Sequence, residues 1–200
     1  MSGSADFVRR HLLASADVKR AAAEQCAAAL ADAAARAVAS YRAGGKLLFC
    51  GNGGSAADCQ HLAAEFTSAL NHDRPRPALG AIALTTDTSF LTANANDFGF
   101  DHVFERQVEA LGRTGDVLVG ITTSGNSPNV LRAFDKARAL GLVTVLFSGD
   151  GGGKARALAD VAVCVPSRDT QHIQESHIAL GHCLCAIVED TLYGGGASQA

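Results

Sequence analysis

His61 and Glu65, four positions apart in the sequence, carry side chains that can bind a metal or transfer protons. On a helix this spacing places the two side chains about 40° apart on one face, where a solvated ion pair is the other interpretation. The pair follows "GNGGSAAD" (51–58), which joins an apolar run to a helical pattern. Glycines let the backbone approach a ligand, and a helix start offers free N–H groups. The turn is therefore either an anion-binding loop or only a tight strand–helix connection.

A second polar segment, "GITTSGNSPNVLRAF" (120–134), also joins an apolar run to a helical pattern. Ser127 precedes Pro128, which suits a first helical position, so Ser127 is expected at the N-cap of that helix. Capping does not explain three further hydroxyls in a row, at Thr122, Thr123 and Ser124. Hydroxyls beside helix-terminal N–H groups can bind phosphate without a lysine, which would suit a small sugar phosphate.

The C-terminal segment "TQHIQESHIALGHCLCAIVEDTL" (170–192) predicts a long amphipathic helix. His177 lies beside its apolar stripe and is interpreted as a packed or hydrogen-bonded histidine. Gln174 and His182 flank an otherwise apolar surface, and eight residues separate them by about 12 Å along a helix. One ion could bind both only if the two side chains stretched toward each other. A second subunit that completed the site would relieve this strain.

Short apolar runs alternate with helical patterns along the chain. Strands are predicted at 46–50, 81–84, 116–122, 142–147 and 161–166. Helices are predicted at 18–40, 55–70, 88–95, 102–111, 128–140, 152–159 and about 172–192. This alternation predicts an α/β fold, in which a doubly wound parallel sheet is flanked by helices on both faces. Ligands bind such sheets beyond the carboxyl ends of the strands, which points to the loops at 51–55, 85–89 and 122–127.

The chain has 200 residues, of which 48% are hydrophobic, enough for one domain with a sizeable core. We expect a single domain over 1–200, made of an N-terminal helical segment at about 1–43, an α/β core at about 45–193 and a frayed tail at 194–200. The net charge of −3 disfavours a nucleic-acid partner.

No segment has the roughly 20 consecutive apolar residues of a membrane span, and the N-terminus lacks the order of a secretory signal. The six cysteines include no C-x-x-C pair and are interpreted as reduced structural thiols. We therefore expect a cytoplasmic protein with no membrane partner.

Four segments together are similar to those of a known family: "CGNGGSAADCQHLAAEF", "TANANDFGFD", "GDVLVGITTSGNSPNVLRAF" and "RDTQHIQESHIALGHCLCAIVEDTL". They resemble the sedoheptulose 7-phosphate isomerases, or phosphoheptose isomerases, of the sugar isomerase (SIS) superfamily, over about residues 45 to 193. The resemblance implies a flavodoxin-like SIS fold with an N-terminal helix and a long C-terminal helix. It also implies a homotetramer with active sites at subunit interfaces. The implied reaction converts D-sedoheptulose 7-phosphate to D-glycero-D-manno-heptose 7-phosphate, the first step toward the heptose of bacterial surface polysaccharide (lipopolysaccharide).

The resemblance also implies roles for particular residues. One zinc ion per subunit would be bound by His61, Glu65, Gln174 and His182. Substrate would be contacted by Asn52, Gly53, Gly54, Ser55, Glu65, Asn96, Asp97, Thr122, Thr123, Ser124, Ser127 and Gln174. Thr122 departs from the family's more usual serine but keeps a hydroxyl, so only a slightly narrower pocket is expected.

In the implied reaction, Glu65 is the base at carbon, and His182 is the opposite acid/base, directly or through zinc. The proton would move between C2 and C1 through a cis-enediol. A carboxylate bound tightly to zinc is a weaker base. Two interpretations therefore stay open: either the metal moves during turnover, or it mainly organises the substrate oxygens.

Three other functions would suit parts of the pattern. A related branch of the superfamily forms non-catalytic tetramers that bind the replication initiator DnaA, but such proteins do not need the His/Glu/His cluster that this sequence has. An isomerase of a different sugar phosphate would use the same chemistry. A sugar-phosphate-sensing regulator usually carries a DNA-binding segment, and no such segment is visible in the sequence.

Overall fold

The computed structural model describes residues 2–71 and 73–194, so the part of the predicted frayed tail at 195–200 lies outside the described residues. Its helices are α1 (Ser2–Arg42), α2 (Gly54–Thr67), α3 (Thr88–Phe98), α4 (Glu105–Leu111), α5 (Pro128–Ala139) and α6 (Thr170–Tyr193). Its strands are β1 (Leu47–Gly51), β2 (Ala81–Ala83), β3 (Val117–Thr122), β4 (Val143–Ser148) and β5 (Val161–Cys164). Short 3₁₀ segments lie at Phe100–His102 and Lys154–Leu158.

The five strands form one parallel sheet in the order β2-β1-β3-β4-β5. The central strands β1 and β3 are buried along their whole length, which explains why they appear in the sequence as unbroken apolar runs. One apolar cluster packs α1, α2 and α6 on one face of the sheet, and another packs α3, α4 and α5 on the opposite face. The predicted doubly wound, flavodoxin-like fold is confirmed.

Two predicted elements differ from the structure. The first helix covers 2–42 rather than 18–40; residues 4–17 contain no glycine or proline to interrupt it. The segment predicted as a helix at 152–159 is a 3₁₀ segment at Lys154–Leu158. Gly151, Gly152 and Gly153 precede it with φ of 77°, 74° and 55°. A right-handed α-helix cannot include this left-handed backbone, so no helix can begin before residue 154.

Three further findings bear on the expectations for the whole chain. All six cysteines are free, and most of them are buried, although Cys183 is exposed and Cys164 is half-buried. His177 is 1% exposed and donates from Nε2 to the carbonyl oxygen of Ser148 at 3.1 Å, so it is the packed, hydrogen-bonded histidine that was predicted. Burial lowers the pKa of His177 to about 4. Across 2–71 and 73–194, every helix is too short or too polar to cross a bilayer.

Candidate active site

The candidate site lies between β1 and β3, where the order in which strands are added to the sheet reverses. From β1 the chain passes to β2 at one edge, whereas from β3 it continues through β4 to β5 at the other. The adjacent strands β1 and β3 end at the same edge, with Gly51 opposite Ile121. The loops that follow them diverge to opposite faces and leave a crevice, which is the usual ligand position in such sheets. These loops are the glycine loop (51–55) and the hydroxyl loop (122–127).

Backbone shape explains the glycines of the first loop. Gly53 precedes α2 with φ of 58° and ψ of −121°, a conformation that an L-residue with a side chain rarely adopts. A Cβ on Gly54 would lie 2.6 Å from Nε2 of Gln174, so a glycine here lets α6 place that amide against the start of α2. Ser55 is only 3% exposed and lies beneath the loop, so its hydroxyl is not open to a ligand in the single chain.

The hydroxyl loop places Ser127 at the N-cap of α5 and Pro128 at the first helical position, as predicted. The Ser127 side chain makes no capping hydrogen bond, whereas Asp87 and Asp169 do cap α3 and α6. Its Oγ instead lies 3.0 Å from Oγ1 of Thr122. Capping therefore does not account for Ser127. Pro128 has no N–H and Val130 donates to Oδ1 of Asn129, so the backbone N–H of Asn129 is the donor at the start of α5 that an anion could use.

The segment at 149–155 packs against the hydroxyl loop and is hydrogen-bonded to its backbone. Its backbone N–H groups donate to the carbonyl oxygens of Thr123 (3.0 Å, from Gly149) and Gly125 (2.9 Å, from Ala155). The two segments touch so closely that a Cβ on Gly125, which has φ of 65°, would lie 2.0 Å from the carbonyl oxygen of Gly152. The shape of the hydroxyl loop therefore depends on a glycine at 125.

Replacement of Gly125 by Ala is expected to raise the Michaelis constant for a phosphorylated substrate and to lower the free energy of unfolding. The left-handed φ alone costs an alanine about 1–2 kcal/mol, and the clash with Gly152 adds a displacement of the loop. Gly151→Ala is the matched control, because its φ is 77° and a Cβ there meets nothing within 4 Å. Steady-state kinetics and urea unfolding should show a changed KM only in Gly125→Ala; an equal change in both variants would contradict this account.

Helices α2 and α6 run parallel and bring the predicted acid–base residues together. Gly181 permits their close approach, because a Cβ there would lie 2.7 Å from the Leu62 side chain. His61 on α2 and His182 on α6 face each other, with their Nε2 atoms 2.8 Å apart. Oε1 of Glu65 lies 3.5 Å from Nε2 of His61. The Glu65 side chain is 18% exposed, so the cluster is partly shielded but open to a ligand.

These three side chains are of the kinds that zinc binds. Two zinc-bound nitrogens, each at about 2.0–2.1 Å in a tetrahedral site, lie about 3.3 Å apart. The two Nε2 atoms, at 2.8 Å, would have to separate by about half an ångström to share an ion. Within the described residues no three His, Cys, Asp or Glu side chains already form a closed metal site. The donor set of His61, Glu65 and His182 fits a zinc ion after a small rotation of the rings.

Gln174 does not join this cluster in the single chain. Its amide lies against Gly54, at the first turn of α2, whereas His182 faces His61 two turns further along. Seven residues of helix separate Gly54 from His61, which is about 10 Å.

Asp58 was not among the predicted site residues, although it belongs to the same face of α2, three residues before His61 and seven before Glu65. One of its carboxylate oxygens, Oδ2, is buried and has no hydrogen-bond partner among the described residues. Burial raises the pKa of Asp58, while the nearby His61 and His182 oppose that rise. Its spacing from His61 was the available signal.

Asn96 and Asp97 lie exposed near the C-terminal end of α3. Nδ2 of Asn96 donates to Oδ1 of Asp97 at 2.9 Å. No hydrogen bond in the described part of the chain joins either side chain to the glycine loop or the hydroxyl loop. The single chain therefore gathers the two loops and the His61, Glu65 and His182 cluster, but not this pair.

Comparisons with known proteins agree with the fold. The SIS domain family model matches residues 11–149. A phosphoheptose isomerase from Rhodospirillum rubrum is 56% identical over 167 residues, which cover 84% of this chain and 88% of that protein.

Two solved structures are also similar. Phosphoheptose isomerase GmhA from Neisseria gonorrhoeae is 45% identical with a TM-score of 0.87, and the match covers 92% of this chain and 98% of that one. A phosphoheptose isomerase from Francisella tularensis is 37% identical with a TM-score of 0.89, over 94% of this chain and 98% of that one. Extensive identity and a shared fold together define family membership. The chain therefore belongs to the phosphoheptose isomerase family of SIS-domain proteins.

Proposed function

We propose that this protein is an aldose–ketose isomerase that converts D-sedoheptulose 7-phosphate to D-glycero-D-manno-heptose 7-phosphate. The observation that carries the proposal is the meeting of His61 and Glu65, on the helix that begins at the glycine loop, with His182 of α6. A base and an acid beside a phosphate-binding crevice are what this isomerisation requires. The similar proteins from Rhodospirillum rubrum and Neisseria gonorrhoeae carry the name of that activity.

The hydroxyl loop binds the phosphate of the substrate in this proposal. Thr123 is half-buried and Ser124 is exposed, so these hydroxyls are open to the crevice. Ser127 and Thr122 already share one hydrogen bond and can turn toward a phosphate oxygen. The loop carries no lysine or arginine, so the phosphate is held by hydroxyl and backbone N–H groups.

The carboxylate of Glu65 removes a proton from C1 of the ketose, while an acid gives a proton to the C2 oxygen. The resulting cis-enediol takes the proton back at C2 as the C1 hydroxyl loses its own proton, which leaves an aldehyde at C1. His182 is the second acid/base, directly or through zinc.

A zinc ion, one per subunit, is part of the proposal, with His61, Glu65 and His182 as its ligands and Gln174 as a fourth. When bound, it would polarise the substrate's carbonyl and hydroxyl oxygens. The position of Gln174 against Gly54 requires either movement of that side chain or a rearrangement when subunits assemble.

We also propose that the chain works as a homotetramer with its active sites at subunit interfaces. In the N-terminal half of α1, Phe7, Val8, Leu12 and Leu13 are each more than half exposed. Near Asn96 and Asp97, Phe98 and Phe100 are similarly exposed. Exposed apolar clusters of this kind are typical of surfaces that other subunits cover. The free cysteines suit the reducing cytoplasm, which is the proposed location.

The decisive test is isomerase activity on sedoheptulose 7-phosphate, measured with purified protein before and after chelation and after zinc is restored. We expect turnover in the zinc-loaded protein and its loss on chelation. Turnover that survives complete removal of metal would refute the zinc part alone. A well-folded, zinc-loaded protein with no turnover would refute the assigned substrate and favour another sugar phosphate or a non-catalytic, DnaA-binding role.

His182→Ala is expected to lower kcat at least about 100-fold, because it removes an acid/base and a zinc ligand together. Folding should be retained, since His182 is half-buried and its ring lies against the exposed ring of His61. Circular dichroism and urea unfolding check the fold, and zinc content measured by mass spectrometry separates the two roles. Full activity in His182→Ala would remove it from the mechanism.

A further inference from the structure

A pair of asparagine amides bridges the crevice between the two loops of the candidate site. Nδ2 of Asn52, in the glycine loop, donates to Oδ1 of Asn129 at 2.9 Å. Nδ2 of Asn129, at the start of α5, donates back to Oδ1 of Asn52 at 2.8 Å. The two residues follow different strands and are 77 positions apart in the sequence. This reciprocal pair spans the point where the sheet order reverses.

The orientation of each amide in the pair is determined by the backbone. Oδ1 of Asn129 also accepts the backbone N–H of Val130 at 3.0 Å. A backbone N–H can only donate, so it determines which end of the Asn129 amide is the oxygen. Asn129 then determines the orientation of the Asn52 amide through the two hydrogen bonds between them. The ambiguity that usually attends an asparagine amide is absent from this pair.

Asn52 and Asn129 differ in how many hydrogen-bonding groups of their side chains remain available to a ligand. Asn129 is 2% exposed, and its oxygen uses both lone pairs within the protein. Asn52 is half-buried and keeps one N–H and one lone pair that the pair does not use. A ligand in the crevice can therefore meet Asn52 but not Asn129.

We propose that Asn129 is a positioning residue: it holds Asn52 in one orientation and ties the glycine loop to the hydroxyl loop, so that one sugar phosphate is held at both ends. This role rests on the proposed isomerase function for its effect on turnover. In the proposed function, Ser127 binds the phosphate and lies two residues before Asn129 in the chain. The helix α2, which follows Asn52, carries His61 and Glu65 of the acid–base cluster. A fixed distance between the two loops preorganises the site before the substrate arrives.

The test is a double-mutant cycle with Asn52→Ala, Asn129→Ala and the double variant. Asn129→Ala is expected to lower kcat/KM about 10-fold to 100-fold, as small misplacements of a bound substrate do. If Asn129 acts through Asn52, the double variant should be no more than about threefold worse than Asn52→Ala. Losses that multiply in the double variant would overturn the proposal.

Two controls separate positioning from a general structural effect. Inorganic phosphate, used as a competitive inhibitor, should bind Asn129→Ala within about threefold of the parent, because the hydroxyl loop itself is intact. A rise in its inhibition constant as large as the loss in kcat/KM would assign Asn129 to the phosphate alone and overturn the proposal. Thr144→Val removes a buried hydroxyl that is hydrogen-bonded to Leu158 and Asp160, near the amino ends of the strands, and should leave kcat/KM within about twofold.

The same four proteins distinguish failure of this inference from failure of the proposed function. If the parent protein does not isomerise sedoheptulose 7-phosphate, the proposed function fails, and the cycle is read from the unfolding equilibrium in urea instead. A coupling of at least about threefold between positions 52 and 129 in the unfolding constant would support the tie between the loops. Additive effects on unfolding would refute it.

Discussion

Replacement of Glu65 by Gln is expected to lower kcat about 10²-fold to 10⁴-fold, the range that a positioned general base contributes. The amide has nearly the same shape as the carboxylate, but it cannot accept a proton from carbon at neutral pH. The side chain is 18% exposed, and among the described residues the ion-pair partner within reach of its carboxylate is His61, at 3.5 Å, so folding should change little. Initial rates with sedoheptulose 7-phosphate give kcat and KM, and urea unfolding gives stability.

Glu109→Gln is the control, because Glu109 is an exposed carboxylate on α4, where it pairs with Arg106 and Lys136. It should leave both kcat and KM unchanged. Zinc content should be measured in each variant, since a metal-free Glu65→Gln would lose activity for a second reason. Near-normal turnover in Glu65→Gln would show that another group removes the proton.

Replacement of Arg76 by Met is expected to lower the free energy of unfolding by about 3–5 kcal/mol, the usual cost of breaking a buried ion pair from one side. The Arg76 side chain is 1% exposed, and its Nε lies 3.1 Å from a carboxylate oxygen of Glu189, which is itself 8% exposed. Its Nη2 also donates to the carbonyl oxygen of Glu65 at 2.8 Å, and Nη1 donates to that of Phe66 at 3.0 Å. The change would therefore remove the cap of α2 and leave the buried Glu189 carboxylate without a cation, with the backbone N–H of Leu70 as its remaining partner.

Arg74→Met is a closely matched control. Arg74 lies two residues earlier and pairs with Asp190, the neighbour of Glu189 on α6, but both side chains of this pair are more than half exposed. An exposed pair of this kind contributes about 0–1 kcal/mol, so urea unfolding should separate the two variants clearly. Arg76→Met combined with Glu189→Gln should recover part of the loss, because no unpaired charge remains. Equal, small effects in the two single variants would contradict the structural role assigned to Arg76.

The strands and the two loops could be predicted because their signals are local. Apolar runs marked the strands of the sheet, and the rule for parallel sheets then placed both loops at one edge. The spacing of His61 and Glu65 likewise predicted their shared helix face. The 3₁₀ segment after the three consecutive glycines was mistaken for a helix, although the glycines themselves were the available warning.

Features that depend on strand order could not be predicted in the same way. The Asn52–Asn129 pair exists because β1 and β3 are neighbours, and no periodicity in the chain encodes that adjacency. The meeting of His61 with His182 depends on the register of α2 against α6, which Gly181 sets from within an apolar stripe. In the sequence, a glycine at this position could equally have indicated a less stable part of the helix, because glycine has low helix propensity.

The contact between Gly181 and Leu62 constrains how this sequence can drift over evolutionary time. At their closest approach, the Leu62 side chain of α2 packs against the bare backbone of Gly181 in α6, so the volumes at these two positions affect the separation of the helices. A methyl group gained at 181 without a smaller residue at 62 would push the two histidines apart. Variation at either position is therefore coupled to the other, although neither side chain needs to meet the substrate.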